Sequence, residues 1–228
     1  MSKLIPFLFS TPMVMANQAG IKTQTRRTHK LDKINEHPDW WQLKAISTVA
    51  GTTLAIFEHI DGHIQTAVQF PASVGDIIWQ RETYYAYGCY VNNAGKWSFV
   101  DYTDVDIPYR YENSPGGFPY SPIRNTKLTY YKRPSLFMPY AACRARYQIT
   151  NIRIQRLQDI TEIEAHTEGV YRYPDDTYAD YINGPDFCKN MARDSFQTLW
   201  QSINGPDSWY HNPWVIVYTY KKCAKPLL

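Results

Sequence analysis

Helix signals in this chain are few, and they are not spaced as crossovers. Three stretches carry the punctuation or the period of a helix: 11–19, 161–169 and 186–203. Around them run short apolar, β-branched and aromatic segments bounded by turn residues. The order is strand, short helix, strand, several strands, capped helix, long helix, final strand, with no regular strand–helix alternation. This argues for an α+β fold: a small, mostly antiparallel β-barrel with helices at its edges and inserted loops and hairpins. The 228 residues suit one domain with insertions and suffice for a core that needs no staples.

The elements read as follows. Residues 4–9 form a short buried strand. Thr11 caps a helix that has Pro12 at its first position and runs over 13–19, with Gly20 as the left-handed stop. Residues 52–70 form a hairpin around the two-residue turn Asp61-Gly62. His59 and His63 flank that turn, but with no third ligand nearby no metal site is expected. A strand follows Gly75-Asp76 over 77–83. Its last residues, Arg81 and Glu82, either line a site or, for Glu82, pair with a nearby arginine.

Residues 84–133 read as an insertion with turns at Asn92-Asn93-Ala94-Gly95 and Ser114-Pro115-Gly116-Gly117. Its tyrosines Tyr84, Tyr85, Tyr87 and Tyr90 either wall a pocket or pack the insertion on the core. Residues 134–139 are a stiff connector, and 143–157 a strand with Arg144 and Arg146 on one face. Thr161 and Glu164 make a capping box, Ile160 and Ala165 a hydrophobic staple, and Gly169 the helix stop. Glu168 then sits on the last turn, at the negative end of the helix dipole, an unfavourable place for a carboxylate. In 186–203, Phe187, Met191, Phe196, Leu199, Trp200 and Ile203 recur at helical spacing and read as core. Asn204-Gly205-Pro206 stops that helix, 213–220 is a closing, central strand, and the tail from Lys221 is basic and frayed.

Composition narrows the partners only a little. A net charge of +3 does not describe a protein that coats nucleic acid, although a local basic patch stays compatible with it. Nineteen tyrosines and seven tryptophans suit base stacking and β-rich packing alike. The cysteines, Cys89, Cys143, Cys188 and Cys223, lack paired metal or redox spacing and read as reduced thiols of a cytoplasmic protein. No run is long enough for a membrane span, and the apolar start is too short for a signal peptide.

The densest polar chemistry is Gly20-Ile21-Lys22-Thr23-Gln24-Thr25-Arg26-Arg27. On a strand, Thr23, Thr25 and Arg27 share one face, and Lys22 leans over it from the bend. A lysine beside a hydroxyl activates a threonine or holds an anion. The same residues also suit a solvated basic turn with two strand threonines.

Six pieces of the chain resemble the ASCH domains of the PUA-like superfamily, in the larger phage and prophage members. They are 9–14, 22–27, 75–82, 134–139, 157–169 and 212–217, and they lie in the family order. Residues 28–74, 84–133 and 171–184 look like elaborations within a single domain spanning 1–228. The resemblance implies a PUA-like β-barrel whose cleft handles RNA, nucleotides or nucleosides. One bacterial branch, the N4-acetylcytidine amidohydrolases, is similar in the key motif Lys-Thr-x-Thr, which acts there with a glutamate from a later helix.

Carried onto this sequence, the implied catalytic residues are Lys22, Thr25 and Glu168, with Glu164 or Glu162 as substitutes if the alignment is off by a turn. Thr23, Arg26, Arg27, Arg81 and Glu82 are the implied substrate-binding residues. The chemistry implied is amide hydrolysis of an N4-acylated cytidine or related modified nucleoside, with no metal or cofactor. Thr25 is the nucleophile, Lys22 the base, and Glu168 orients the lysine and shuttles a proton. Lys-Thr-x-Thr-Arg serves equally to grip a phosphate without turnover. A non-catalytic RNA- or nucleotide-binding module of phage origin is therefore the alternative, in which Arg26, Arg27, Arg144 and Arg146 form one basic face. A phage accessory factor that docks another protein is a third reading. The expected location is the cytoplasm, that of the bacterial host if phage-encoded, with no membrane partner.

Overall fold

The computed structural model describes residues 2–49, 52–102, 109–111 and 129–223. It is an α+β, sheet-rich fold in which the described strands far outnumber the α-helices. The strands are β1 (Leu4–Leu8), β2 (Gln24–Arg27), β3 (Trp41–Val49), β4 (Thr52–His59), β5 (Gln65–Gln69), β6 (Ile77–Arg81) and β7 (Tyr84–Asn93). They continue with β8 (Lys96–Asp101), β9 (Arg110–Tyr111), β10 (Thr129–Arg133), β11 (Arg146–Arg156), β12 (Tyr178–Ala179), β13 (Cys188–Lys189) and β14 (Trp214–Lys222). The α-helices are α1 (Thr11–Gln18), α2 (Asp32–Asn35), α3 (Glu162–Thr167) and α4 (Ala192–Asn204).

The central sheet has the order β1-β6-β11-β14-β2. Every pair in it is antiparallel except β1 with β6. Among the described residues its main-chain pairing does not close into a barrel; β1 and β2 stand at its two ends. What spans the gap is a side chain, Arg27, whose Nη2 donates to the Leu8 carbonyl at 2.7 Å. The apolar run of β14 is interior, as its Val215, Ile216 and Val217 require, since all three are fully buried. Its end continues as strand through Lys222, so Lys221 is not frayed; residues 224–228 lie outside the described residues. β1, by contrast, is an end strand with Leu4 and Leu8 exposed, not the buried strand its composition suggests.

The inserted regions build sheets of their own. Within 28–74, β3, β4 and β5 form a three-stranded antiparallel sheet. The Asp61-Gly62 turn widens into a longer loop closed by His59 N donating to the Ile64 carbonyl at 2.8 Å. Asp61 sets that loop by accepting from His63 N at 3.0 Å. Within 84–133, β7 pairs with β8, β9 and β10. Its hairpin turns at Ala94 and Gly95, both at positive φ (51° and 82°). The turn expected at Ser114-Pro115-Gly116-Gly117 lies outside the described residues. Tyr84 and Ala86 pack there with Met138 and Ala142 in a small second core.

Three local expectations shift. Ser10, not Thr11, is the extended residue before α1, and its carbonyl accepts the first helical bond from Val14 N at 2.9 Å. Pro12 still sits in the first turn, where its missing N–H costs nothing. The strand expected from residue 143 starts at Arg146, because residues 140–142 coil into a 3-10 turn. The long helix starts at Ala192, where the Glu162 carboxylate takes the backbone N–H groups of Ala192 and Arg193. Phe187 and Met191 therefore precede it and, with Ile203, are exposed; only Phe196, Leu199 and Trp200 of the expected stripe are buried. No helix among the described residues is long and apolar enough to cross a membrane.

Candidate active site

The site begins with the way the chain leaves α1. Gly20 adopts φ +75°, and the amides of Ile21 and Lys22 both bond the Ala16 carbonyl, at 3.0 and 3.1 Å. This tight reversal turns Lys22 inward, where it is 4% exposed. Thr23 N then donates to the Thr167 carbonyl at 2.8 Å, which lashes the start of β2 to the end of α3. The helix stop Gly169 completes the approach. It has φ +88°, and a Cβ there would lie 2.8 Å from both the Lys22 and Ala16 Cβ atoms. Only glycine satisfies both the left-handed turn and the close packing.

Lys22 and Glu168 thereby meet in a water-poor setting. Lys22 Nζ donates to the Glu168 carbonyl at 2.6 Å and to Glu168 Oε2 at 2.8 Å. Arg26 Nη1 donates to the other carboxylate oxygen, Oε1, at 2.7 Å, and its Nη2 to Glu164 Oε2 at 3.0 Å. Arg153 reaches Glu164 Oε1 and so braces the second carboxylate. The unfavourable end-of-helix position of Glu168 is offset by these two cations, one of which also caps the helix carbonyl. Of the three glutamates on α3 and its ends, Glu162 holds α4 and Glu164 makes the capping box with Thr161. Glu168 alone touches the lysine.

Burial opposes the charge on Glu168, yet the Lys22 ammonium and Arg26 guanidinium outweigh it and hold the carboxyl below its ordinary range. Burial is also the largest influence on Lys22. It lowers the amine's pKa despite Glu168, with Arg27 and Arg26 pushing the same way. A carboxylate that stays ionised thus faces an amine that gives up its proton more readily than usual.

Both line a cleft of about 350 Å³, in the lower range for small-molecule sites. Thr25, Arg26 and Arg27 line it too, together with the apolar Phe9, Met13, Phe196, Leu199 and Trp200. Thr25 is 4% exposed, and among the described residues no side-chain hydrogen bond engages its hydroxyl. Arg27 sits over the Phe7 and Phe9 rings at 5.4 and 5.5 Å. Burial lowers its pKa from the usual arginine value.

No family model, curated protein or solved structure matches this chain. The chemistry open to the site follows from its own geometry.

Three implied binding residues lie outside the cleft. Thr23 is used by its main chain, accepting from Tyr220 N at 2.9 Å. Glu82 is held by Arg144 in a fork, Nε to Oε1 at 2.9 Å and Nη2 to Oε2 at 2.6 Å, so it pairs with an arginine and does not line the Lys22 cleft. Arg81 donates to the Leu136 and Met138 carbonyls and stacks on Trp79. Nor do the four arginines make one basic face: Arg26 is buried against two glutamates, Arg144 pairs with Glu82, and Arg146 stacks on Tyr140. His29 and Asp32 also line the cleft; their polar stretch has no period, and its place directly after the motif is its one sequence signal. Among the described residues no group of three metal-ligating side chains gathers, at His59 and His63 or elsewhere.

Proposed function

We propose that this cleft is the active site of an amidohydrolase acting on an N4-acylated cytidine or a related modified nucleoside, within a PUA-like, ASCH-type frame. One observation carries the reading. A neutral amine has two N–H donors and one lone pair, and both donors of Lys22 are taken by Glu168, at 2.6 and 2.8 Å. The lone pair of the deprotonated amine is then left for the cleft, which Thr25 also lines.

The reaction runs in two stages. Thr25 Oγ1 attacks the acyl carbonyl carbon and passes its proton to Lys22 Nζ. The tetrahedral oxygen gathers negative charge, which the Arg27 guanidinium stabilises. Collapse breaks the C–N bond, and the Lys22 ammonium returns the proton to the departing amine. Water, deprotonated by Lys22, then attacks the acyl-threonine; the ester C–O bond breaks, the acid leaves, and Lys22 returns the proton to Thr25 Oγ1. Glu168, with both oxygens occupied and its carboxyl held low, positions Lys22 rather than carrying a proton. The aromatic wall of Phe9, Phe196 and Trp200 suits the flat base of such a substrate.

The direct test is deacylation of N4-acetylcytidine and a panel of acylated nucleosides, followed by absorbance. Turnover is expected in the parent protein and not in Thr25→Ala or Lys22→Ala. No turnover of any substrate by the parent protein would sink the hydrolase reading and leave a non-catalytic nucleotide-binding module.

A further inference from the structure

Beside the cleft lies a second depression, a groove of about 440 Å³ lined by β5 residues and by Lys3, Lys30 and Lys33. None of its lining residues is acidic. Among the described residues, none of the three ammonium groups has an ion-pair partner. In a chain of net charge only +3, three unneutralised lysines in one groove are a concentrated field. β5 ends its sheet, so its outer backbone edge adds N–H groups that the sheet does not use.

Two further facts tie the groove to the cleft. The residues directly after β2 serve both: Thr28, His29 and Asp32 line the cleft, while Lys30 and Lys33 line the groove. That segment is the ridge between them. Within it Lys30 holds φ +72°, a left-handed conformation that glycine adopts freely and a lysine does not. A residue kept in a costly conformation at a site is the pattern expected where its side chain is used.

We infer that the groove holds phosphate, so that the occupant of the cleft is a nucleotide or a short single-stranded polynucleotide, not a free nucleoside. What enters the cleft rests on the proposed function; the phosphate site does not.

Binding of unmodified ligands therefore makes the test, since it needs no turnover. A labelled single-stranded oligocytidylate is titrated by fluorescence anisotropy at 50 and 200 mM salt, with cytidine and cytidine 5′-monophosphate as competitors. Three phosphate contacts on a single strand give a slope of about −2 in log K against log salt, an affinity loss of about 16-fold over that range. In Lys30→Gln/Lys33→Gln one contact remains and the loss shrinks to about threefold. Lys96→Gln, an exposed lysine on β8, leaves the parent slope unchanged. The monophosphate competes better than cytidine in the parent protein and no better in the double variant. If the monophosphate matches the strand, the site takes a terminal phosphate; if the strand binds far more tightly, it tracks a phosphodiester chain. Equal competition by cytidine and its monophosphate in the parent protein, or an unchanged slope in the double variant, overturns the proposal. The lysines are exposed, so circular dichroism of the variants matches the parent. Failure to deacylate any substrate, with these binding results intact, removes the hydrolase reading alone.

Discussion

Glu168 and Glu82 are both buried glutamates, 3% and 4% exposed; two cations take one oxygen each of Glu168, and one arginine takes both oxygens of Glu82. Their surroundings separate them. Glu82 is closed off by one arginine fork and by Gln80 Nε2 at 3.0 Å. Gln80 in turn accepts from Asn17 at 3.1 Å, and Asn17 from Tyr220 at 2.9 Å, a chain none of whose members lines the Lys22 cleft. Its cation is a guanidinium, which does not deprotonate in proteins. Glu168 instead holds a lysine, whose amine can lose its proton, on the wall of a cleft that also contains an unengaged hydroxyl. A buried ion pair is thus weak evidence for chemistry by itself; a partner that can change protonation and an open space next to it make the difference.

The largest effect should come from removing each carboxylate. Glu168→Ala strands two buried cations and is expected to cost about 3–5 kcal/mol, with turnover lost. Arg144 is partly open to water, so Glu82→Ala is expected to cost about 1–3 kcal/mol and to leave turnover measurable. Urea unfolding with rate assays on both variants checks this, and equal stability losses would erase the distinction between the two sites.

Gly169→Ala sharpens it from the backbone side. The left-handed φ and the contact with Lys22 together predict a loss of about 2 kcal/mol. The added methyl also displaces Lys22, so kcat falls further than the stability loss explains. Thermal unfolding and steady-state kinetics at a temperature where the variant is fully folded separate the two effects.

Arginine-to-lysine exchanges are expected to be smaller. Arg26→Lys loses the fork that joins Glu168 to Glu164 and costs about 1–2 kcal/mol, and the pH–rate profile moves because Glu168 is held less firmly against Lys22. Arg144→Lys costs about 1 kcal/mol or less and leaves the profile in place. A shift of the profile by Arg144→Lys would contradict the division of roles.

The smallest effect is in pH. The folded pKa of Glu168 lies below its unfolded value of about 4.3. Its contribution to stability is therefore fully present above about pH 5 and is lost as pH falls through the folded value. Glu168→Gln flattens this acid limb. Lys22 acts in the other direction: its folded pKa lies below the unfolded value of about 10.4. Stability gains as pH rises between the two, because the unfolded chain then holds the extra proton. Urea unfolding from pH 3 to pH 11 reads both limbs, and Lys22→Met removes the alkaline one.

What the sequence determined by itself was local. The Thr161–Glu164 capping box, the stops at Gly20 and Gly169, the Ala94-Gly95 turn and the α+β order of elements are all set by backbone rules acting over a few residues. The Lys22–Thr25 motif was legible for the same reason, as a polar cluster at a helix exit. Tertiary structure alone decided the rest. Which of three glutamates meets Lys22 depends on a contact across 146 residues. That Glu82 pairs with Arg144, that Arg26 is spent on α3, and that Phe187, Met191 and Ile203 stay exposed depend on which surfaces the sheets bury. Spacing along a chain fixes the face a side chain takes on its own element; what that face meets is fixed by packing between elements far apart in sequence.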